Sequence, residues 1–204
     1  MKKSKMATTI AEAMVVTLII VMWLTWVYSI YSASTKVTNN VETKIKAIQI
    51  AREWIEAMTN IRDTNWLIFS YDKKNCWKTF NYTSGCIWNT APNNIEDNWN
   101  YKIYRDVDNR WILQEALPFT DNYTDSSYRN FYEIWLDLNW LYTQTWTITK
   151  INNNFTRQIK TTYFTPTGWS VNDWLEVKSI VRWVDSTTTN YHEIELKTIL
   201  TNHK

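Results

Sequence analysis

Residues 8–33 read TTIAEAMVVTLIIVMWLTWVYSIYSA, and this stretch decides the fold class of the chain. It contains one charged residue, Glu12, and residues 13–33 contain none. As a helix, residues 13–33 rise about 31 Å, which matches the hydrocarbon thickness of a bilayer. The stretch therefore predicts a membrane-spanning helix. Because a carboxylate near lipid is costly, Glu12 is the residue of this segment for which a specific partner is expected.

The helical pattern continues beyond residue 33 and becomes amphipathic. No proline or glycine interrupts residues 34–62, which read as the second half of the same helix. Apolar residues spaced three or four positions apart form one stripe along it: Val37, Val41, Ile45, Ile48, Ala51, Ile55 and Met58. In a globular domain such a stripe packs on a second layer of structure, so we expect the rest of the chain to supply that layer.

Residues 63–204 carry the pattern of a β domain. Short apolar or alternating runs, separated by segments rich in Asn, Asp, Thr and Ser, predict strands at residues 66–71, 101–107, 111–117, 131–138, 141–149, 157–164, 175–184 and 192–200. The short polar connections predict an antiparallel meander that ends in a hairpin through residues 185–190. The expected fold class is α+β, with a long N-terminal helix packed on an antiparallel sheet.

Tryptophan is unusually frequent and glycine unusually rare. The chain has 14 tryptophans and two glycines, whereas glycine normally makes up about 7% of a protein. Three tryptophans follow Asn or Asp where Asn-Gly or Asp-Gly pairs usually form turns: Trp99, Trp140 and Trp174. We hypothesise that the gene comes from a bacterial lineage that reads UGA as glycine, so that translation wrote tryptophan at such codons. A tryptophan-rich aromatic binding surface is the alternative.

This hypothesis separates the tryptophans into groups. Trp66, Trp77 and Trp183 read as authentic. The positions suspected to be glycine are Trp23, Trp26, Trp54, Trp99, Trp111, Trp140, Trp169 and Trp174. The codons of the gene decide the question, because UGG at every tryptophan position would end the idea.

Cys76 and Cys86 are the only cysteines, and they follow the apolar segment at a separation of ten positions. In an oxidising compartment this pair predicts one disulfide that closes a small loop. Two free buried thiols are the alternative.

An enzyme or a metal protein has little support in this sequence. The histidines are His192, on a predicted strand, and His203, near the end of the chain, and no nucleophile signature or glycine-rich phosphate loop accompanies them. Residues 106–117 open like a calcium loop, but Arg110 and Leu117 stand where oxygen ligands are required. We therefore expect no catalytic residues, no metal and no cofactor. The formal net charge of +2 gives no reason to expect nucleic-acid binding.

The N-terminus combines a short basic leader, MKKSKMA at residues 1–7, with an apolar helix that carries an acid at its fifth position. Residues 1 to about 32 thereby resemble the type IV pilin and pseudopilin family, and the long helix with its β domain resembles the architecture of that family. The resemblance implies that a prepilin peptidase cuts after Ala7 and methylates the new N-terminus at Thr8. It also makes Glu12 the contact that fixes subunits in a filament. Ala7 and Thr8 stand where the family usually has glycine and an aromatic residue.

The resemblance implies a structural subunit rather than an enzyme. It would be a minor pilin or pseudopilin of a type IV pilus or type II secretion-like filament, with other pilin-like subunits, the prepilin peptidase and the assembly platform as partners. The expected regions are a cleaved leader at 1–7, a transmembrane half-helix at 8–33, an amphipathic half-helix at 34–62 and a β domain at 63–204 outside the cytoplasm. The alternative is a membrane-anchored binding or adhesin module whose helix is only a tether.

Overall fold

The computed structural model describes residues 3–79, 86, 94–105, 108, 110–116, 122–136, 142–144, 149–150, 155–164, 174–184 and 191–202, with the backbone alone at residues 3–8 and 149–150. The helices in this part of the chain are α1 (Lys3–Ile68), α2 (Lys73–Cys76) and α3 (Ser126–Tyr132). The strands are β1 (Trp99–Arg105), β2 (Trp111–Glu115), β3 (Trp135–Leu136), β4 (Tyr142–Thr143), β5 (Thr149–Lys150), β6 (Thr156–Phe164), β7 (Trp174–Val184) and β8 (Tyr191–Thr201). The chain forms two compact units, Met1–Lys44 and Ile45–Lys204.

Helix α1 is long because its 66 residues include neither proline nor glycine. Threonine hydroxyls inside it donate to carbonyls of the preceding turn. Thr25 donates to the Met22 carbonyl at 2.8 Å, and Thr38 donates to the Ser34 carbonyl at 3.0 Å. These bonds give polar side chains of the helix an acceptor without interrupting it.

The end of α1 corrects one predicted strand. Residues 66–68 belong to the helix, and Phe69 continues it by donating its N–H to the Asn65 carbonyl at 2.8 Å. The predicted strand at residues 66–71 is therefore wrong. The physical reason is that a short apolar run does not distinguish a strand from the last turn of a helix.

In the unit Met1–Lys44, every large apolar side chain between residues 10 and 41 is exposed. Helix α1 contains an 18-residue window with a mean hydropathy of 2.1, none of which is buried. By length and composition, α1 is therefore able to cross a membrane.

The unit Ile45–Lys204 contains a five-stranded antiparallel sheet with the order β2-β1-β6-β7-β8. The pairing of β7 with β8 runs from Trp174 opposite Thr201 to Val184 opposite Tyr191. The predicted pairing of the last two strands is confirmed, and their connection at residues 185–190 lies outside the described residues.

The order of the strands departs from the predicted meander. Strand β1 pairs with β6 as well as with its sequence neighbour β2, and β3, β4 and β5 form a separate three-stranded sheet with the order β4-β3-β5. The predicted strand at 141–149 is represented by β4 and β5, and residues 145–148 lie outside the described part of the chain. Pairing between strands far apart in sequence leaves no signal in a local pattern, which is why the meander was wrong.

Helix α3 replaces the beginning of the predicted strand at residues 131–138. Asp125 caps this helix by accepting the N–H of Ser127 at 2.8 Å. Tyr128 and Tyr132 are four positions apart, so both rings lie on one helix face, where they are buried. The cap and the helical spacing of the tyrosines therefore favour a helix at residues 131–132. Within the predicted strand at 131–138, the structure describes a strand only at β3.

Helix α1 packs on the sheet through a face that combines alanines with large apolar side chains. Its buried members include Ala47, Ile50, Ala51, Trp54, Ala57, Met58 and Ile61, which share two core clusters with strand residues. The predicted α+β class, with a long helix on an antiparallel sheet, is confirmed. The predicted stripe is wrong in its first half, since Val37, Val41, Ile45 and Ile48 are 62%, 50%, 50% and 40% exposed. The prediction followed the large aliphatic side chains of the first half, whereas the packed face begins at Ala47 and combines alanines with larger apolar side chains.

Two of the tryptophans suspected at turns lie in strands instead. Trp99 begins β1 and Trp174 begins β7. Among the described non-glycine residues only Asn98 has a positive φ, 52°, which asparagine tolerates. The expectation that residues 99 and 174 need glycine for a positive φ is therefore wrong. Trp140 and Trp169 lie outside the described residues.

Candidate assembly interface

Glu12 is the only charged residue between Lys5 and Lys36. It lies on the exposed first part of α1, where Val15 and Val16 line a shallow groove beside it. The positions one helical turn away carry threonine or valine, so no cation on a neighbouring turn balances the carboxylate. A cation for Glu12 would have to come from outside this helix segment.

Ala7 and Thr8, the predicted cleavage and methylation residues, lie in the first turns of α1, where the backbone alone is described. Thr8 and Glu12 are four positions apart in one helix, so their Cβ atoms lie on the same face at about 6 Å. A cut before Thr8 would therefore create an amine one turn away from the carboxylate. Cleavage and methylation stay predictions.

A second exposed apolar set lies further along α1. Val37, Val41, Ile45 and Ile48 are spaced four, four and three positions apart, which places them on one helix face. They come after Lys36, the first charged residue beyond the uncharged segment. The apolar surface of α1 therefore extends past the part that a bilayer would cover.

Inside the domain, α1 is joined to β6 by a partly buried ion pair. Nη1 of Arg157 donates to Oε2 of Glu53 at 3.1 Å, and the Arg157 side chain is fully buried. Burial raises the pKa of Glu53 above its ordinary value, against the attraction of Arg157. Burial lowers the pKa of Arg157 to about 9, with Glu53 opposing that shift, so the guanidinium stays charged at neutral pH. Because either charge alone would be costly to bury, the pair favours one register of the helix on the sheet.

The end of α1 is anchored to the loop that the cysteines close. Cys76 and Cys86 form a disulfide, so the alternative of two free thiols does not apply to this structure. Nδ2 of the buried Asn65 donates to the Trp77 carbonyl at 3.1 Å and to the Thr79 carbonyl at 2.6 Å. One amide thus satisfies two backbone carbonyls of the loop and joins the loop to the helix.

A buried polar cluster holds α3 on the sheet. Arg182 of β7 donates to Glu193 of β8 at 2.6 Å and to the Tyr128 hydroxyl of α3 at 2.5 Å. That hydroxyl donates to the Gln158 side chain of β6 at 2.7 Å. The cluster joins three strands and one helix, so its role is structural.

The residues considered for enzyme or metal chemistry do not form a site in the described part of the chain. His192 is exposed on β8 and stacks on Trp183 with 5.4 Å between ring centroids, and His203 lies outside the described residues. Arg110 donates to Asp108 at 2.7 Å, while residues 106 and 117 of the candidate calcium loop are outside the described ranges. Among the residues that the structure describes, no group of three or more His, Cys, Asp or Glu is placed to hold a metal ion.

Three residues that anchor α1 in the domain were missed by the sequence patterns: Glu53, Asn65 and Arg157. Asn65 left a weak signal, because it follows the buried Ile61 by four positions and so continues the buried row of the helix. Glu53 and Arg157 left none, since their contact joins residues 104 positions apart.

Comparison of the chain with known protein families, with characterised proteins and with solved structures finds no match. What the protein does is therefore inferred from its own residues. The exposed part of α1 bears on function most directly, because the domain contacts above join the chain to itself.

Proposed function

We propose that this chain is a structural filament subunit of the type IV pilin and pseudopilin kind, a minor pilin or secretion pseudopilin that assembles through α1. The observation that carries the proposal is Glu12, a carboxylate beside Val15 and Val16 in an exposed apolar helix segment without any other charge. A membrane anchor gains nothing from a carboxylate there, since a charge near lipid costs free energy. An assembly contact does gain, because a neighbouring subunit then brings a cation to the carboxylate in apolar surroundings.

In the proposed filament, the Glu12 carboxylate approaches the N-terminal amine of a neighbouring subunit. Cleavage after Ala7 supplies that amine at Thr8, and methylation leaves it positively charged. Such a pair is stronger in apolar surroundings than in water, and a carboxylate left unpaired there is costly. The pair therefore sets the register of one subunit against the next.

A second feature favours assembly over a simple tether. Val37, Val41, Ile45 and Ile48 continue the exposed apolar surface of α1 beyond the uncharged segment. A tether needs only the membrane span. Helices that pack side by side in a filament cover such a stripe with the helices of neighbouring subunits, and this gives the stripe a role.

The proposal implies other pilin-like subunits, a prepilin peptidase and an assembly platform as partners. It puts the basic leader, with Lys2, Lys3 and Lys5, on the cytoplasmic side of the membrane, in accord with the positive-inside rule. It puts the β domain on the other side, at the cell surface or in a periplasmic-side filament. The disulfide between Cys76 and Cys86 is compatible with that oxidising location.

Glu12→Ala tests the proposed contact. We expect the variant to fold and insert into the membrane but to be missing from sheared filaments. Glu42→Ala is the matched control, because it removes an exposed carboxylate elsewhere on the same helix, and we expect normal incorporation. The measurement is the ratio of each variant in filaments to that in the membrane fraction. Equal incorporation of both variants would contradict the role of Glu12.

The mature N-terminus separates a filament subunit from a binding or adhesin module whose helix is only a tether. Mass spectrometry of the isolated protein should find methylated Thr8 as its first residue. A chain that begins with intact Met1, or after Ala33, would support the tether instead.

A further inference from the structure

Trp54 is completely buried in the face of α1 that packs on the sheet. Its indole Nε1 is also buried and has no hydrogen-bond partner among the described residues. Buried tryptophans usually find an acceptor for this N–H, because an unbonded donor has lost its hydration without compensation. Trp66 shares this feature, so the contact of Trp54 with Arg157 is what distinguishes position 54.

Arg157 lies directly against the Trp54 ring. Its guanidinium carbon is 3.5 Å from the ring centroid, and its side chain is fully buried. Nη1 reaches Glu53, but Nε and Nη2 have no hydrogen-bond partner in the described part of the chain. The ring face attracts the cation, yet it offers no oxygen acceptor to those two donors. Trp54 therefore covers charged donors that need acceptors, which is costly in a core.

The neighbours of Trp54 on this helix face include buried alanines as well as the larger Ile50 and Met58. Ala47, Ala51 and Ala57 are each 0% or 1% exposed. Position 54 comes three residues after Ala51 and three before Ala57, so it belongs to the same row. The largest of the twenty side chains therefore stands between two buried alanines on the face of α1 that packs on the sheet.

From these contacts, and from the 14 tryptophans and two glycines of the chain, we propose that residue 54 of the natural protein is glycine, decoded from UGA, and that it is the point of closest packing of α1 on the sheet. Glycine removes the unpaired indole N–H. It also frees volume beside Nε and Nη2 of Arg157, in which water molecules can accept from these donors. The inference is independent of the filament function, since it concerns the core of the domain.

The mass of one peptide tests this identity directly. Trypsin cleaves after Arg52 and Arg62 and releases residues 53–62, written here as EWIEAMTNIR. From protein isolated from the cells that make it, we expect the same peptide with glycine in place of Trp54. Recovery of EWIEAMTNIR in its place would overturn the proposal.

Thermal unfolding tests the packing role separately. In the full chain, made in a host with the standard code and purified in detergent, Trp54→Gly should raise the midpoint of thermal unfolding. Trp77→Gly is the matched control, because Trp77 is buried in the same core cluster and its carbonyl accepts a bond from Asn65. There we expect the midpoint to fall by about 10 °C or more. A fall with Trp54→Gly as large as that of the control would overturn the packing role.

Discussion

Helix α1 is one helix with two different surfaces. Between residues 10 and 41 its large apolar side chains are exposed on every side, whereas between residues 47 and 65 one face is buried in the domain. The two parts share a secondary structure but differ in what covers their apolar surface. The second part finds its apolar partner within the chain, and the first must find it in lipid or in other helices.

Two glutamates of α1 show the same difference. Glu53 has its cation inside the chain, Arg157, at 3.1 Å. Glu12 has only threonine and valine at the positions one turn away. Each carboxylate lies in an apolar setting that makes an unpaired charge costly, so each calls for a cation. The domain supplies one of them, and we infer that a neighbouring subunit supplies the other.

The largest expected effect is on the anchoring of the uncharged segment of α1 in a membrane. Ile20 and Leu24 lie in the exposed uncharged segment, and each arginine placed near the centre of a membrane helix costs about 2.5–3.5 kcal/mol. We expect Ile20→Arg with Leu24→Arg to remove most of the protein from carbonate-washed membranes. The same paired change at Val37 and Val41, which are as exposed but lie beyond the segment, should leave it there. Equal retention of both variants would show that the uncharged segment is not what holds the chain in the membrane.

A smaller effect is expected on stability, where a buried and an exposed isoleucine of the second part of α1 can be compared. Ile61 is 1% exposed in the core, whereas Ile48 is 40% exposed on the same helix. Ile61→Ala should lower the free energy of unfolding by about 2–5 kcal/mol, because it leaves a cavity among packed side chains. Ile48→Ala should lower it by less than about 1 kcal/mol. Denaturant unfolding of both variants in detergent measures the difference, and equal losses would mean that the buried face is misplaced.

The smallest expected effect is on how the stability of the domain depends on pH through Glu53. Burial raises the pKa of Glu53 in the folded chain, so the folded state holds this proton more tightly than the unfolded state does. The stabilisation from this proton is complete below the ordinary pKa and is lost as pH rises through the folded-state pKa. Glu53→Gln removes the titration. Unfolding midpoints measured from pH 4 to 7 should therefore show the wild type losing stability relative to Glu53→Gln as pH rises, and a relative gain would reverse the sign of the shift.

Local sequence patterns predicted the long strands correctly. They failed at short runs that were also compatible with a helix. The predicted strands at 175–184 and 192–200 agree closely with β7 and β8, because alternation over many residues has one structural meaning when a sheet is covered on one face. At residues 66–68 the apolar run is the end of α1, and at residues 131–132 the Asp125 cap and the tyrosine spacing form α3. In both places a short run was compatible with two structures, and the neighbouring residues decided between them.

The sequence by itself determined the apolar segment of membrane length, the single carboxylate near its start and the α+β class, because hydrophobicity and periodicity are properties of consecutive residues. Only the tertiary structure decided which face of α1 is buried, that β1 lies beside β6, and that Glu53 meets Arg157 across 104 positions of sequence. These features depend on how side chains of different sizes fill a shared core, and the residues that meet there never stand together in any local window of the chain.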